Sequence, residues 1–135
     1  MIQFRDIKLI TSEAERDGRV RGSVIVVRDG LAWEAVFGSM GAPIIPFLAQ
    51  CNADYIAGKF ETDRTEIDWA AIQRKTGAED LDVTTAYFYS AELREHYGDD
   101  WMMDLPRRDT PRFRAALLAS EALIAWAIEC GESNE

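Results

Sequence analysis

Chemistry-bearing side chains are scarce in this chain. It has one histidine, His96, and two cysteines, Cys51 and Cys130. A Ser/His/Asp or Cys/His site would have to use His96, and no GxSxG elbow presents a serine for it. The two thiols lie far apart with no CxxC spacing, which suggests neither a disulfide framework nor a cysteine zinc site. Cys51 and Cys130 both sit in apolar stretches and read as small buried hydrophobes. No apolar run approaches the roughly 18 residues that a membrane span needs. The opening Met1–Asp6 has no basic region followed by an apolar run, so no secretory signal is expected and the expected location is cytoplasmic.

Bases are also in deficit. Three lysines and twelve arginines face 24 acids, for a net charge of −9. Neutralising a phosphate backbone needs a basic surface, so direct nucleic-acid binding is disfavoured, and an anionic membrane surface is disfavoured for the same reason. A basic protein remains an electrostatically permitted partner. Composition is otherwise that of a globular domain, 47% apolar and 29% charged, and 135 residues suffice for one core.

What is present is sorted charge. From Glu79 to Asp104 there are eight acids against one base, Arg94; four arginines follow at once, Arg107, Arg108, Arg112 and Arg114. Arg112 and Arg114 fall in the first turn of a helix, where an exposed cation opposes the macrodipole at about 0.3–1 kcal/mol. Pairing with Glu95, Asp99, Asp100 or Asp104 across the intervening turn is the expected compensation.

The clearest local structure is a hairpin over residues 20–37. Val20–Arg28 and Leu31–Phe37 flank Asp29-Gly30, the dipeptide that accepts positive φ at both turn positions. A two-residue loop sets Val26 against Trp33, Val24 against Ala35 and Gly22 against Phe37. Leu31, Trp33, Ala35, Phe37, Val24 and Val26 then share the core face. The opposite face, with Ile25, Val27 and Val36 beside Ser23 and Glu34, is not cleanly polar, so something is expected to cover part of it. In residues 2–10, Ile2 and Phe4 lie in one phase and Ile7 and Leu9 in the other, which predicts a bulge or bend. Polar residues 11–19 read as a turn.

A helix is expected to start near Pro43 or Pro46 and to run as one piece to Phe60. Thr65–Asp68 resembles a capping box for a short helix anchored by Trp69 and Ile72 and stopped at Gly77. Residues 83–89 have strand composition, and Ser90–Tyr97 reads as helix. Thr110 and Pro111 open the last helix, residues 111–130, with Phe113, Leu117, Ile124 and Ile128 as one stripe and Leu118, Ala122 and Trp126 on the far side. The expected fold is therefore α+β: an N-terminal antiparallel sheet packed against three to four helices, with helix 111–130 central. Residues 1–131 form the expected single domain and residues 132–135 a frayed acidic tail.

Two clusters invite a chemical reading. His96, Asp99, Asp100 and Asp104 have metal-like composition, but their spacing matches no established ligand set. Gly38–Gly41 follows a strand and precedes a helix, the setting of an anion site, yet it lacks GKS/GKT and GxGxxG and reads as a turn. No catalytic residue, metal ligand or cofactor is therefore expected. The acids around Trp101-Met102-Met103 read instead as an interface: an adaptable apolar triplet ringed by carboxylates, with Glu92, Glu95, Asp99, Asp100, Trp101 and Asp104 as partner-binding residues. The same triplet read structurally would plug the core.

The segment Phe47-Leu-Ala-Gln-Cys-Asn-Ala-Asp-Tyr-Ile-Ala-Gly-Lys-Phe60, with the Trp33 hairpin before it, resembles small uncharacterised proteins of phages and prophages. The resemblance spans under half the chain and brings no functional residues. It implies an accessory or inhibitory role rather than housekeeping catalysis. The leading expectation is a non-catalytic acidic module docking on a basic, nucleic-acid-binding protein. The alternatives are a small metal- or carboxylate-dependent enzyme using His96 with Asp99, Asp100 or Asp104, and a structural subunit that dimerises through the Leu118/Trp126 side of the last helix.

Overall fold

The computed structural model describes residues 1–133. They form an α+β fold that divides into two compact units, Met1–Arg64 with the helix from Pro111 onward, and Thr65–Thr110.

The first unit is built on a four-stranded antiparallel meander: β1 (Ile2–Phe4), β2 (Ile7–Arg16), β3 (Arg19–Arg28) and β4 (Leu31–Phe37). The Asp29-Gly30 hairpin has the expected register, Val26 opposite Trp33, Val24 opposite Ala35 and Gly22 opposite Phe37. Asp29 and Gly30 adopt φ of 52° and 80°, the double positive φ of a type I′ turn. Residues 11–19 are not a turn. β2 runs on to Arg16, and a second Asp-Gly, Asp17-Gly18 at φ 54° and 77°, makes the same hairpin one strand earlier. The phase change at residues 2–10 is likewise a tight reversal at Arg5-Asp6, pairing Phe4 with Ile7 and Ile2 with Leu9. Crossing to a partner strand places both phases on one face, so Phe4, Ile7 and Leu9 join Val24 and Val26 against the core.

Helices α1 (Ile44–Gln50), α2 (Ala53–Phe60) and α6 (Pro111–Ser133) cover that face. The single helix expected over 46–60 is broken at Cys51, which is extended, because the Asn52 carboxamide caps a new helix by accepting from Tyr55 N at 2.8 Å. In α6 the buried stripe is Phe113, Ala116, Ala119, Ser120, Leu123, Trp126 and Ala127. This is rotated from the expected stripe: Ile128 is exposed, and Trp126 points into the core instead of away from it. Small residues at 116, 119 and 127 admit α1 and α2 closely, which bulky Ile and Leu do not. Ser120, buried on α6, donates its hydroxyl to Ala116 O at 2.7 Å, so it carries no unmet polarity. The helix continues past Cys130 through Ser133; Asn134 and Glu135, the rest of the expected tail, lie outside the described residues.

Gly22 on β3 is set by close approach. A Cβ there would lie 2.7–2.9 Å from Met40 Cε and Sδ and Ile44 Cδ1.

The second unit has a two-stranded ribbon, β5 (Thr65–Ile67) with β6 (Arg107–Asp109), and helices α3 (Trp69–Thr76), α4 (Ser90–Tyr97) and α5 (Trp101–Asp104). Thr65 is therefore in a strand and not a cap. Asp68 caps α3 by accepting from Ala71 N at 3.0 Å, and Gly77 ends it in the left-handed conformation as expected. Ile72, Leu81, Ala86, Leu93, Trp101 and Leu105 make the buried core of this unit.

Candidate interaction surface

The region read as a strand at 83–89 is a turn followed by a short 3-10 helix, Ala86–Tyr89, that runs directly into α4. Local polar bonds decide this. The Asp82 carboxylate accepts from the Thr84 hydroxyl at 2.6 Å and from the Thr84 and Thr85 amides at 2.8 and 3.2 Å. The Thr85 hydroxyl donates to Asp80 O at 2.8 Å. These side-chain bonds take up the backbone donors that a strand would offer to a neighbour. They also hold the Asp82 carboxyl below the usual carboxylate range, the Thr84 hydroxyl contributing most. Nearby, the Tyr89 hydroxyl donates to Asp80, which raises the phenol's pKa because ionisation would break that bond and place two anions together.

Losing the strand turns large apolar side chains outward. Tyr87 and Phe88 are 78% and 86% exposed, and Val83 is exposed with them. On the continuous helical run Ala86–Tyr97, Phe88, Glu92 and Glu95 are spaced four and three apart and share one face, while Ala86 and Leu93 enter the core. Asp99 and Asp100 are exposed in the turn after α4, and Asp104 is exposed at the end of α5. Among the described residues, none of the side chains of Glu92, Glu95, Asp99, Asp100 and Asp104 is in a salt bridge or hydrogen bond. Residues 65–110 hold eleven acids and five bases, so this unit carries most of the net charge.

The triplet 101–103 is split between the two roles proposed for it. Trp101 is buried and belongs to the core, so it is not a surface contact residue; Met102 and Met103 are exposed, Met103 at 86%. In a four-residue helix only one side of the turn reaches the core, and the indole takes it.

The arginines do not do what their position in the chain suggests. Arg107 donates to the Thr65 hydroxyl and carbonyl at 2.9 and 3.1 Å, and Arg108 pairs with Glu66 at 2.9 Å, both across the β5–β6 ribbon. In the other unit, Arg112 pairs with Glu61 at 2.7 Å, and the same carboxylate accepts from Trp33 Nε1 at 3.2 Å. Glu61 thus offsets the cation in the first turn of α6. The acids at 92–104 are left without those arginines as partners.

Among the described residues, no group of three or more His, Cys, Asp or Glu is placed to hold a metal ion. The Cys51 thiol donates to Phe47 O at 3.3 Å, and burial raises its pKa, which suppresses the thiolate. The amide that opens α1, Ile44 N, donates to Glu13 at 2.8 Å, so the chain's own carboxylate takes the donor that an anion after Gly38–Gly41 would use. No helix among the described residues is long and apolar enough to cross a membrane. For the expected dimer face on α6, Leu118 is half exposed, while Trp126 is buried and unavailable.

A four-stranded meander carrying three helices, followed by a small unit rich in exposed acids, defines a small α+β protein. Residues 6–116 match a protein family described as a phage family, and the chain belongs to that family. No curated protein and no solved structure matches the chain.

Proposed function

We propose that this phage-family protein is a non-catalytic, acidic protein-binding module that docks on a basic protein surface, of the kind that nucleic-acid-binding proteins present. The observation that supports it is a set of five carboxylates, Glu92, Glu95, Asp99, Asp100 and Asp104, exposed without internal partners in the unit that also exposes Phe88, Met102 and Met103. Unpaired surface acids steer a basic partner and set orientation, while flexible Met and aromatic side chains supply adaptable apolar contact. In this reading the protein works in the cytoplasm, inhibits or assists its partner, and binds neither nucleic acid nor membrane directly.

The test is charge reversal of Glu95, Asp99, Asp100 and Asp104 to lysine. The fold is expected to survive, because no internal bond of these side chains is lost. Capture from host lysate at low and high salt identifies the partner, whose binding is then measured directly. A basic partner, released by salt and lost in the variant, supports the reading; a folded variant that binds equally well at low salt refutes it. Calorimetric titration with Mg, Mn, Zn and Fe(II) separates the enzyme alternative: uptake lost on His96→Ala would restore it.

A further inference from the structure

The outer face of the β1–β4 sheet carries an uncompensated cluster of cations. Arg16 and Arg19 are cross-strand partners on either side of the Asp17-Gly18 turn, and Arg21 follows Arg19 on the same face. Like charges directly opposite each other destabilise a sheet. Among the described residues, none of the three side chains has a salt bridge or hydrogen bond. They line, with Asp17, Gly38 and Ser39, an open concavity of about 780 Å³. That volume greatly exceeds a single phosphate or sulfate and suits a chain segment.

Beyond the arginines the same face mixes aliphatic and polar side chains, with Glu34 opposite Ile25 and the Ser12 and Ser23 hydroxyls paired at 2.7 Å. Ile10 and Ile25 are register partners, 45% and 38% exposed, and Val36, 53% exposed, stands opposite Ser23 next along the face. No helix of the first unit covers them; α1, α2 and α6 pack on the other face. No aromatic side chain stands on this face of β2, β3 and β4, so it offers no stacking platform for bases. A net charge of −9 further disfavours a polyanion.

We propose that this sheet face is a second docking surface, for a protein segment that carries carboxylates beside aliphatic side chains. The carboxylates bind the guanidinium forks of Arg16, Arg19 and Arg21, and the aliphatic residues cover Ile10, Ile25 and Val36. No residue of 65–110 takes part, so this surface stands or falls independently of the acidic one. With both surfaces occupied, the protein is an adaptor between two partners of opposite charge.

The test is selection of short random peptides, displayed on yeast, against the full chain. Enriched peptides are expected to combine several Asp or Glu with Ile, Leu or Val. Their binding is expected to weaken at least about tenfold in the triple variant R16A/R19A/R21A, the loss that even a single charge-assisted contact would give. It is also expected to shift the methyl NMR signals of Ile10, Ile25 and Val36, and to persist in the charge-reversed variant of Glu95, Asp99, Asp100 and Asp104. Failure to enrich any peptide, enrichment of basic peptides, unchanged binding to a folded triple variant, or tighter binding of a single-stranded oligonucleotide at the same arginines overturns the proposal. Self-association of the chain abolished by the triple variant would replace the outside segment with a second copy, and likewise overturns it.

Discussion

Truncating Trp101 to alanine separates a core role from a docking role, because the indole sits among the acids of residues 92–104 yet is only 6% exposed. A tryptophan buries about 150–250 Å². At about 25 cal/mol per Å² that corresponds to about 4–6 kcal/mol, an upper estimate for the transfer alone. Measured truncations of buried Trp and Phe cost about 3–5 kcal/mol. The unit that contains it has 46 residues, Thr65–Thr110, and at about 0.05–0.15 kcal/mol per residue its own stability is about 2–7 kcal/mol. The loss is thus comparable to the whole. Six residues form the buried core of this unit, and Trp101 is the largest of them. Trp101→Ala is therefore expected to abolish hydrogen-exchange protection in α3 and α4 without denaturant. Protection in β2 and β3 should persist, since their core is drawn from residues 7–57 and 113–127. Trp101→Phe, which keeps most of the volume, should retain most of the protection. If Trp101→Ala leaves α3 and α4 protected to within about 1 kcal/mol of the native chain, a smaller change than any buried-aromatic truncation, the assignment of Trp101 to the core is wrong.

Two further perturbations test other parts of the structure. Gly22→Ala sets two effects against each other: alanine is better than glycine in a strand by about 0.5–1 kcal/mol, whereas its Cβ would press on Met40 and Ile44 at 2.7–2.9 Å. Overpacking of this kind costs about 1–3 kcal/mol and should win, with partial relief in a Gly22→Ala/Met40→Ala double variant, as read from urea unfolding; a stabilised single variant would show that Met40 yields freely. The lowered pKa of Asp82 predicts acid sensitivity of the turn before α4. Because its folded pKa lies below the unfolded value near 3.9, its contribution is fully present at neutral pH, declines as pH falls through about 4, and is gone below the folded pKa. Exchange protection of Thr84 and Thr85 followed from pH 5 downward should therefore decline in the native chain and stay flat in Asp82→Asn.

Much of the first unit was legible in the chain because its signals are local. Asp29-Gly30 carries its turn geometry in two residues, and alternation on either side then dictates which side chains face inward. Asp17-Gly18 carried the same signal and was masked by the polar side chains around it, since a strand lying beside an uncovered face needs no apolar alternation. Elsewhere the deciding partner was distant or small. Asp82 outweighs the β-propensity of Val83 through Tyr89, because among the described residues no strand pairs with this segment to reward that propensity. Trp101 looked like part of an interface because its flanks are acidic, and only the assembled core of Ile72, Leu81 and Leu93 shows where the indole goes.

From the sequence alone follow the α+β class, the hairpin register, the helix stop at Gly77 and the helix start at Pro111, and the excess of acids over bases, all properties of neighbouring residues or of composition. Tertiary structure decided the pairing of those charges. Proximity along the chain pointed Arg107, Arg108 and Arg112 at the acids of residues 95–104, but a turn fixes which way side chains leave the backbone, and these arginines leave toward Thr65, Glu66 and Glu61. That redirection leaves five carboxylates unpartnered on one unit and, on the sheet of the other, register rather than sequence spacing gathers Arg16, Arg19 and Arg21 onto one face.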